Sequence, residues 1–251
     1  MYNIYESIRA RVRAAKWFLG GRISLSQSLC LSAPAFLKPN IKGKSTVVKF
    51  LGNPFTIPNW EVSDFMDMRE QIISANQYHI ELIKDGDIVV DAGANMGVFS
   101  IFVATTYPHC TIYAFEPAPN TFMALSQNTK YYPNIKVFNC GLGEEEKKAS
   151  ILVSDHTGAN YVGEGGVPID IKTIDGLNLR VDFLKMDTEG YEANILQGAK
   201  TTIKKWKPVI AMSAYHKPND AKELPALLNS ITSYNCELKH DSEADLICKP
   251  A

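Results

Sequence analysis

The stretch DIVVDAGANMGVFS (Asp87 to Ser100) limits what this chain can fold into more than any other. Ile88 to Val90 form a short apolar run of the kind buried on both faces of a parallel sheet. An acid, Asp91, stands where that strand ends. A turn with Gly93 and Gly97 follows and runs into a helix holding Val98, Phe99 and Ile101. Strand, glycine turn and helix in this order begin an α/β crossover. They put a helix N-terminus, with unpaired N–H groups and a positive dipole end, at the carboxyl edge of the sheet. The next apolar segment, TIYAFEP (Thr111 to Pro117), ends in Glu116. A carboxylate at that second strand end is placed to accept hydrogen bonds from ribose hydroxyls. The pattern predicts a nucleoside-containing cofactor.

What the turn lacks narrows the choice. A dinucleotide fingerprint needs G-x-G-x-x-G so that backbone can approach a pyrophosphate. Here the order is Asp91, Gly93, Ala94, Asn95, Gly97, one glycine short and with Asn95 inside the turn. S-adenosylmethionine carries no phosphate. It presents an amino group, a carboxylate, a sulfonium and a ribose, which suit an acid beside a helix N-terminus. On this reading Asp91, Gly93, Asn95 and Gly97 hold the methionine end, Glu116 with Pro117 the ribose, and the Cys140–Gly141 turn of NCGLG the adenine. The plainer alternative is that Gly93 and Gly97 only permit a tight crossover and Glu116 is a solvated acid.

At 251 residues the chain suits one large α/β domain with appendages. Its charge is uneven. Residues 1–49 carry nine Lys or Arg against one acid, a balance of +8, and the remainder carries −9. An acidic catalytic part argues against a nucleic-acid substrate. The five cysteines (Cys30, Cys110, Cys140, Cys236, Cys248) are odd in number and lack C-x-x-C spacing. They read as reduced thiols, with no disulfide framework and no metal site, which points to the cytoplasm. No apolar run approaches the length of a membrane span. The first twenty residues hold a helical stripe of Tyr5, Ile8, Val12, Ala15 and Leu19 beside Arg9, Arg13 and Lys16. Such a basic arm suits an anionic membrane surface, a second copy of the chain, or packing on the domain. Its Arg- and Ser-rich, acid-poor composition also fits an organelle transit peptide.

Three regions are expected: a basic arm at 1–45, a hairpin and leading helix at 46–86, and a cofactor-binding domain at 87–251. The hairpin spans Thr46 to Asn59 and turns at Gly52-Asn53. A helix is predicted over 61–84. Alternation then begins, with strand 88–92, helix 96–106, strand 110–116, helix 119–130 and strand 135–140. An extra strand at Ile151 to Asp155 precedes a glycine-rich loop at 156–166. Strand 182–187, helix 191–206, strand 208–214 and helix 219–233 follow. The last segments, CELKH and ADLIC, are too close in sequence for a helical crossover and must be antiparallel. The expected fold is a Rossmann-like, mostly parallel seven-stranded sheet with one antiparallel strand and helices on both faces.

A second dense cluster is DFLKMDTEGYEANILQGA (Asp182 to Ala199). Phe183 and Leu184 make a buried strand, and Asp187 and Glu189 sit at its carboxyl edge, the edge that also carries Gly93 and Glu116. The following strand, PVIAMSAYH, brings Tyr215 and His216 there. The run Lys185-x-Asp187-x-Glu189-Gly190-x-Glu192, then Leu196, Gly198 and Ala199, together with Val90-Asp91-x-Gly93-Ala94-Asn95-x-Gly97, resembles the FkbM-type S-adenosylmethionine-dependent methyltransferases. The resemblance covers roughly residues 60–216, with Ser63-Asp64 and Tyr78 fitting the family's leading helix. It implies a class I methyltransferase fold and methyl transfer to a hydroxyl of a small molecule, such as a sugar or polyketide-type natural product. Members often carry a glutamate at the end of the strand before the histidine, where this chain has Ser213-Ala214-Tyr215-His216.

Transfer to an alcohol needs a base within reach of the hydroxyl proton. Asp187, Glu189 and His216 are the candidates, and Asp187 also borders the cofactor. Asp187 is the hardest to assign an ordinary role, because an acid ending a buried strand is costly without a partner or ligand. Glu189 and Glu192 suit the N-terminus of the following helix, and His216 a loop. Lys185 alternates with Asp187 along the strand as an ion-pair partner. A metal-free mechanism is expected, because these residues match no common ligand pattern and no second acid stands near His216 in sequence. A catalytically silent scaffold and an NAD(P)-dependent oxidoreductase are the competing functions.

Overall fold

The structure, a computed structural model, describes residues 45–57, 62–152, 161–163, 165–240 and 243–251. The basic arm, apart from Ser45, and most of the glycine-rich loop lie outside the described residues. Two compact units are present, Met1–Asp67 and Met68–Ala251, so the expected 46–86 segment is divided between them. Among the described residues no helix is long and apolar enough to cross a membrane.

In the first unit β1 (Thr46–Phe50) pairs antiparallel with β2 (Asn53–Ile57). Phe50 stands opposite Asn53, so the two-residue turn is Leu51-Gly52 and not the expected Gly52-Asn53. Both turn residues take positive φ, 46° and 93°, as hairpin turns of the primed types require. Phe50 and Phe55 pack edge to face with centroids 5.1 Å apart, and Phe65 joins them from α1 (Val62–Arg69).

The second unit is built on a seven-stranded sheet. Its strands are β3 (Ile88–Ala92), β4 (Thr111–Phe115), β5 (Ile135–Phe138), β10 (Phe183–Met186), β11 (Val209–Ser213), β12 (Tyr234–Lys239) and β13 (Asp245–Pro250). The order is β12-β13-β11-β10-β3-β4-β5, and β13 runs antiparallel to both neighbours. This is the expected sheet, with its one reversed strand. The crossover helices are α2 (Val98–Thr106), α3 (Pro119–Thr129), α5 (Glu192–Gln197), α6 (Lys200–Trp206) and α7 (Asp220–Ile231), with the single turn α4 (Ile174–Leu177) before β10. Val89, Val90, Leu184, Ile210 and Met212 are buried, as parallel strands covered on both faces must be.

Four expectations are corrected. The helix over 61–84 ends at Arg69, widens into one π turn at Glu70–Ser74, and gives way to a short 3-10 turn at Ile80–Leu82. Asn76 and His79 take φ of 53° and 50° between them. The break lets the consecutive residues Gln77 and Tyr78 both turn inward, where they are buried; on a continuous helix successive side chains diverge. The helix over 191–206 is split into α5 and α6 at Gly198, where any Cβ would lie 1.9 Å from the Gly143 carbonyl oxygen. A second, four-stranded sheet was not anticipated as a unit. It joins β6 (Gly141–Leu142), β7 (Lys147–Leu152), β8 (Tyr161–Val162) and β9 (Val167–Lys172) in the order β6-β9-β7-β8. Finally, Cys236 and Cys248 form a disulfide across the β12–β13 pair, their Cα atoms 4.0 Å apart. The all-thiol reading fails because spacing along the chain says nothing of cross-strand register. Cys110 and Cys140 are free and buried.

Candidate active site

The carboxyl ends of β3, β10 and β4 meet where strand order departs from chain order, the usual place for a site in an open α/β sheet. Asp91 and Lys185 are register partners on β3 and β10, so their side chains share one face. Lys185 Nζ lies 3.1 Å from Asp91 Oδ1 and donates to the Gly93 carbonyl at 2.8 Å. Ser100 Oγ donates to Asp91 Oδ2 at 2.6 Å. Both Asp91 and Lys185 are buried. Asp91 therefore anchors the turn from beneath, and Lys185 is its ion-pair partner instead of that of Asp187.

The turn is satisfied from within. Gly93 and Ala94 N–H donate to the Phe115 carbonyl, Asn95 N–H to Glu116 Oε2, Met96 N–H to Asn95 Oδ1, and Gly97 N–H to the Ala94 carbonyl, all between 2.7 and 3.1 Å. The N–H groups of residues 93–97 are therefore spoken for, and this stretch of the turn offers no cradle for a pyrophosphate. Gly93 has φ 75°, and a Cβ there would lie 1.9 Å from the Asp187 carbonyl oxygen. Its glycine is required by the close passage of the β10 end.

Glu116 presents its carboxylate at the end of β4. Oε1 accepts from Ala118 N–H at 2.9 Å and Oε2 from Asn95 N–H at 3.0 Å, which leaves acceptor capacity on each oxygen. Burial pushes its pKa up to about 7 against the pull of those two N–H donors. Beside it, Asn139 Nδ2 donates to the Glu116 and Pro117 carbonyls and ties the β5 end to the β4 end. Phe115 and Phe138 stack at 4.9 Å. The Cys140 thiol, raised by burial to about 11, is no nucleophile at neutral pH, and Gly141 packs against Ile171.

Asp187, Glu189 and His216 come together past the ends of β10 and β11. The His216 side chain is 6% exposed, and its Nε2 lies 3.5 Å from Asp187 Oδ1 and 3.6 Å from Glu189 Oε2 without a hydrogen-bond partner among the described residues. Its Nδ1 lies 3.1 Å from Glu192 Oε1. Glu192, itself buried, accepts from Thr188 N–H at 2.8 Å and Thr188 Oγ at 3.0 Å. Tyr78 O–H donates to Asp187 Oδ2 at 2.9 Å. Burial alone would lower the imidazole pKa. Glu192, with Asp187 and Glu189, more than offsets this and holds His216 at about 9. Glu189 is pushed up to about 7 by burial and the neighbouring carboxylates, against the pull of His216. His216 thus has three acids around it, where sequence spacing suggested none beyond the candidates.

Three residues of the site were given no part in it by the sequence reading. Glu192 is the acid that orients His216, although Asp187-x-Glu189-x-x-Glu192 carried the signal of a third acid one turn on. Tyr78 reaches Asp187 only because the leading helix breaks. Glu243, before β13, accepts from Gln71 Nε2 at 3.3 Å and adds its charge to the field at Tyr215, and nothing local in sequence marks it. Asp245 beside it is buried and accepts from Gln77 Nε2 at 3.1 Å. Among the described residues no group of three or more His, Cys, Asp or Glu is arranged to hold a metal ion.

Comparison with known proteins follows the same segments. The family model described as "Methyltransferase FkbM domain" matches residues 91–238. The 31-O-demethyl-FK506 methyltransferase FkbM of Streptomyces tacrolimicus is 32% identical over 98 residues, which are 38% of each chain. The hexuronic acid methyltransferase AglP of Haloferax volcanii is 26% identical over 180 residues, 68% of this chain and 71% of its own. Two other curated methyltransferases, both 28% identical, are spanned over 66% of their length, just under two thirds. Among solved structures, methyltransferase FkbM from Methylobacillus flagellatus KT superposes with a TM-score of 0.54 at 23% identity, over 73% of this chain and 53% of that one. That likeness shows the class I fold.

Proposed function

Because the chain belongs to the FkbM methyltransferase family, we propose that it uses S-adenosylmethionine to methylate a hydroxyl oxygen of a small molecule or glycan. One observation carries the O-methyl reading. A buried imidazole, its Nδ1 3.1 Å from Glu192 Oε1, turns its Nε2 toward Asp187 Oδ1 at 3.5 Å, on the loop whose backbone lies against Gly93. Acid, oriented imidazole and cofactor turn share one edge.

The residues present fit that cofactor. Glu116 keeps acceptor capacity for ribose hydroxyls, the turn from Gly93 to Gly97 has no phosphate cradle, and the edge at Cys140–Gly141 continues from the ribose acid. When bound, S-adenosylmethionine supplies an electrophilic methyl group on a sulfonium. Asp91, Lys185 and Ser100 fix the turn. Glu116 would hold the ribose, and the Asn95 N–H fixes the Glu116 carboxylate beside the turn. The acceptor hydroxyl lies against Nε2 of His216 in its neutral form, which takes the proton, while Glu192 stabilises the imidazolium that results. Asp187, steadied by Tyr78, orients the acceptor. Alignment of the acceptor oxygen supplies the rest of the rate.

The relative named for a 31-O position supports transfer to oxygen. The internally paired turn amides count against a dinucleotide. The test is transfer of radiolabelled methyl from S-adenosylmethionine to a panel of hydroxyl compounds. His216→Ala lowers kcat by roughly 10²–10⁴-fold, the worth of a positioned base, with cofactor affinity unchanged. Equal turnover in that variant would remove His216 from the chemistry.

A further inference from the structure

Around the His216 imidazole the carboxylates of Asp187, Glu189 and Glu192 outnumber the one group that can balance them. Asp187 and Glu189 face it with side chains 30% and 33% exposed. Glu243, in the segment before β13, adds its charge to the field at both Tyr215 and Glu189. His216 and Glu192 cancel as a buried pair 3.1 Å apart. Lys185 is spent on Asp91, and the Lys217 ammonium donates to the Gly190 carbonyl. Among the described residues Asp187, Glu189 and Glu192 share the one imidazole of His216 as ion-pair partner, and Glu243 accepts from Gln71 Nε2 at 3.3 Å, so carboxylates outnumber the cation. Tyr215 borders them, 41% exposed, its ring 4.3 Å from that of His216 and its hydroxyl 3.5 Å from Asp187 Oδ1.

Carboxylates in a half-closed pocket attract a cation and repel an anion far more than they would in open water. An exposed tyrosine face adds attraction for an ammonium. We infer that the acceptor pocket selects a hydroxyl compound that also carries a protonated amine, of the amino-sugar or amino-alcohol class, over its neutral and carboxylate counterparts. This rests on the O-methyl transfer reading above and narrows its substrate. His216 and Asp187 engage the hydroxyl, and Glu189 and Glu243 receive the ammonium.

Three hexoses that differ only at C6 test the charge order: 6-amino-6-deoxyglucose, glucose and glucuronate. Each is titrated calorimetrically at pH 7.5 into the full chain saturated with S-adenosylhomocysteine. The amine binds at least tenfold more tightly than glucose, and glucuronate at least tenfold more weakly. Raising salt to about 0.3 M compresses both ratios several-fold, as partly exposed charges require. Glu243→Gln keeps the shape of the side chain and reduces the amine-to-glucose ratio several-fold. Glucuronate binding as tightly as the amine, or none of the three binding, overturns the inference. Methyl transfer assayed on the same compounds separates the two readings. Transfer to a hydroxyl without the charge order overturns the inference and leaves the transfer reading. Binding in the charge order without transfer supports the inference and counts against O-methylation.

Discussion

If His216 is the base, its environment dictates an alkaline pH profile, and Glu192 is the residue to perturb. The imidazole is held at about 9. A group raised to 9 is neutral in only about one molecule in a hundred at pH 7, so kcat rises roughly 100-fold from pH 7 to its plateau above pH 9. Two features make Glu192 the largest contributor. Its oxygen is the nearest, at 3.1 Å against 3.5 and 3.6 Å, and its side chain is 1% exposed against 30% and 33% for Asp187 and Glu189. Water screens the other two carboxylates and hardly screens this one. Glu192→Gln keeps an acceptor for the Thr188 N–H and hydroxyl while deleting the charge. The inflection then moves down by at least one pH unit, a loss of about 1.4 kcal/mol of preference for the imidazolium. The rate at pH 7 changes less than the plateau rate, because more neutral base offsets poorer stabilisation of its protonated form. The assay is kcat from pH 6 to 10 with saturating acceptor and cofactor. The same charge shift sets a stability trend. A histidine raised by folding stabilises the chain fully below its unfolded pKa of about 6.5, and that stabilisation is lost as pH rises toward 9. The Tm of the wild-type chain therefore falls across that window more than the Tm of Glu192→Gln. An inflection near 7 that vanishes in Glu189→Gln would transfer the role of base to Glu189. An inflection unmoved by Glu192→Gln would refute the electrostatic argument outright.

Other expectations test the supports of the site. Glu116→Ala weakens S-adenosylmethionine binding by about 1–3 kcal/mol, the cost of leaving ribose hydroxyls unpaired; isothermal titration measures it, and an unchanged Kd removes Glu116 from the cofactor site. Gly93→Ala drives a methyl against the Asp187 carbonyl from a backbone at φ 75°, so stability falls by more than the roughly 1–3 kcal/mol of backbone strain alone, read as a drop in Tm. Reducing Cys236–Cys248 opens a link with a sequence separation of 12 residues and costs about 2–3 kcal/mol. Thermal melts with and without a thiol reductant show it, and coincident melts would mean that the bridge does not form.

The sequence by itself carried the parts whose information is local. Short apolar runs, the Gly93–Gly97 turn, and acids directly at strand ends announced the alternating sheet and its working edge. The closeness of the final two segments announced the reversed strand. These signals survive because each depends on neighbours within a few residues, through backbone sterics and burial. What needed the tertiary structure was partnership across strands. Lys185 faces Asp91 because β10 lies beside β3, nearly a hundred residues away in the chain. Register alone makes neighbours of Cys236 and Cys248. The two helix breaks answer to distant groups: Gly198 to the Gly143 backbone, and the turn at Asn76–His79 to the burial of Gln77 and Tyr78. The character of the site changed for the same reason. Asp91, Glu192 and His216 were legible as polar residues at strand and helix ends, where each could serve several ends. Only folding determined that Asp91 is spent on anchoring the turn, that Glu192 is buried against Nδ1, and that His216 stands protonated among three carboxylates. Electrostatic environment is a sum over groups brought together from the whole chain, and no window of sequence contains it.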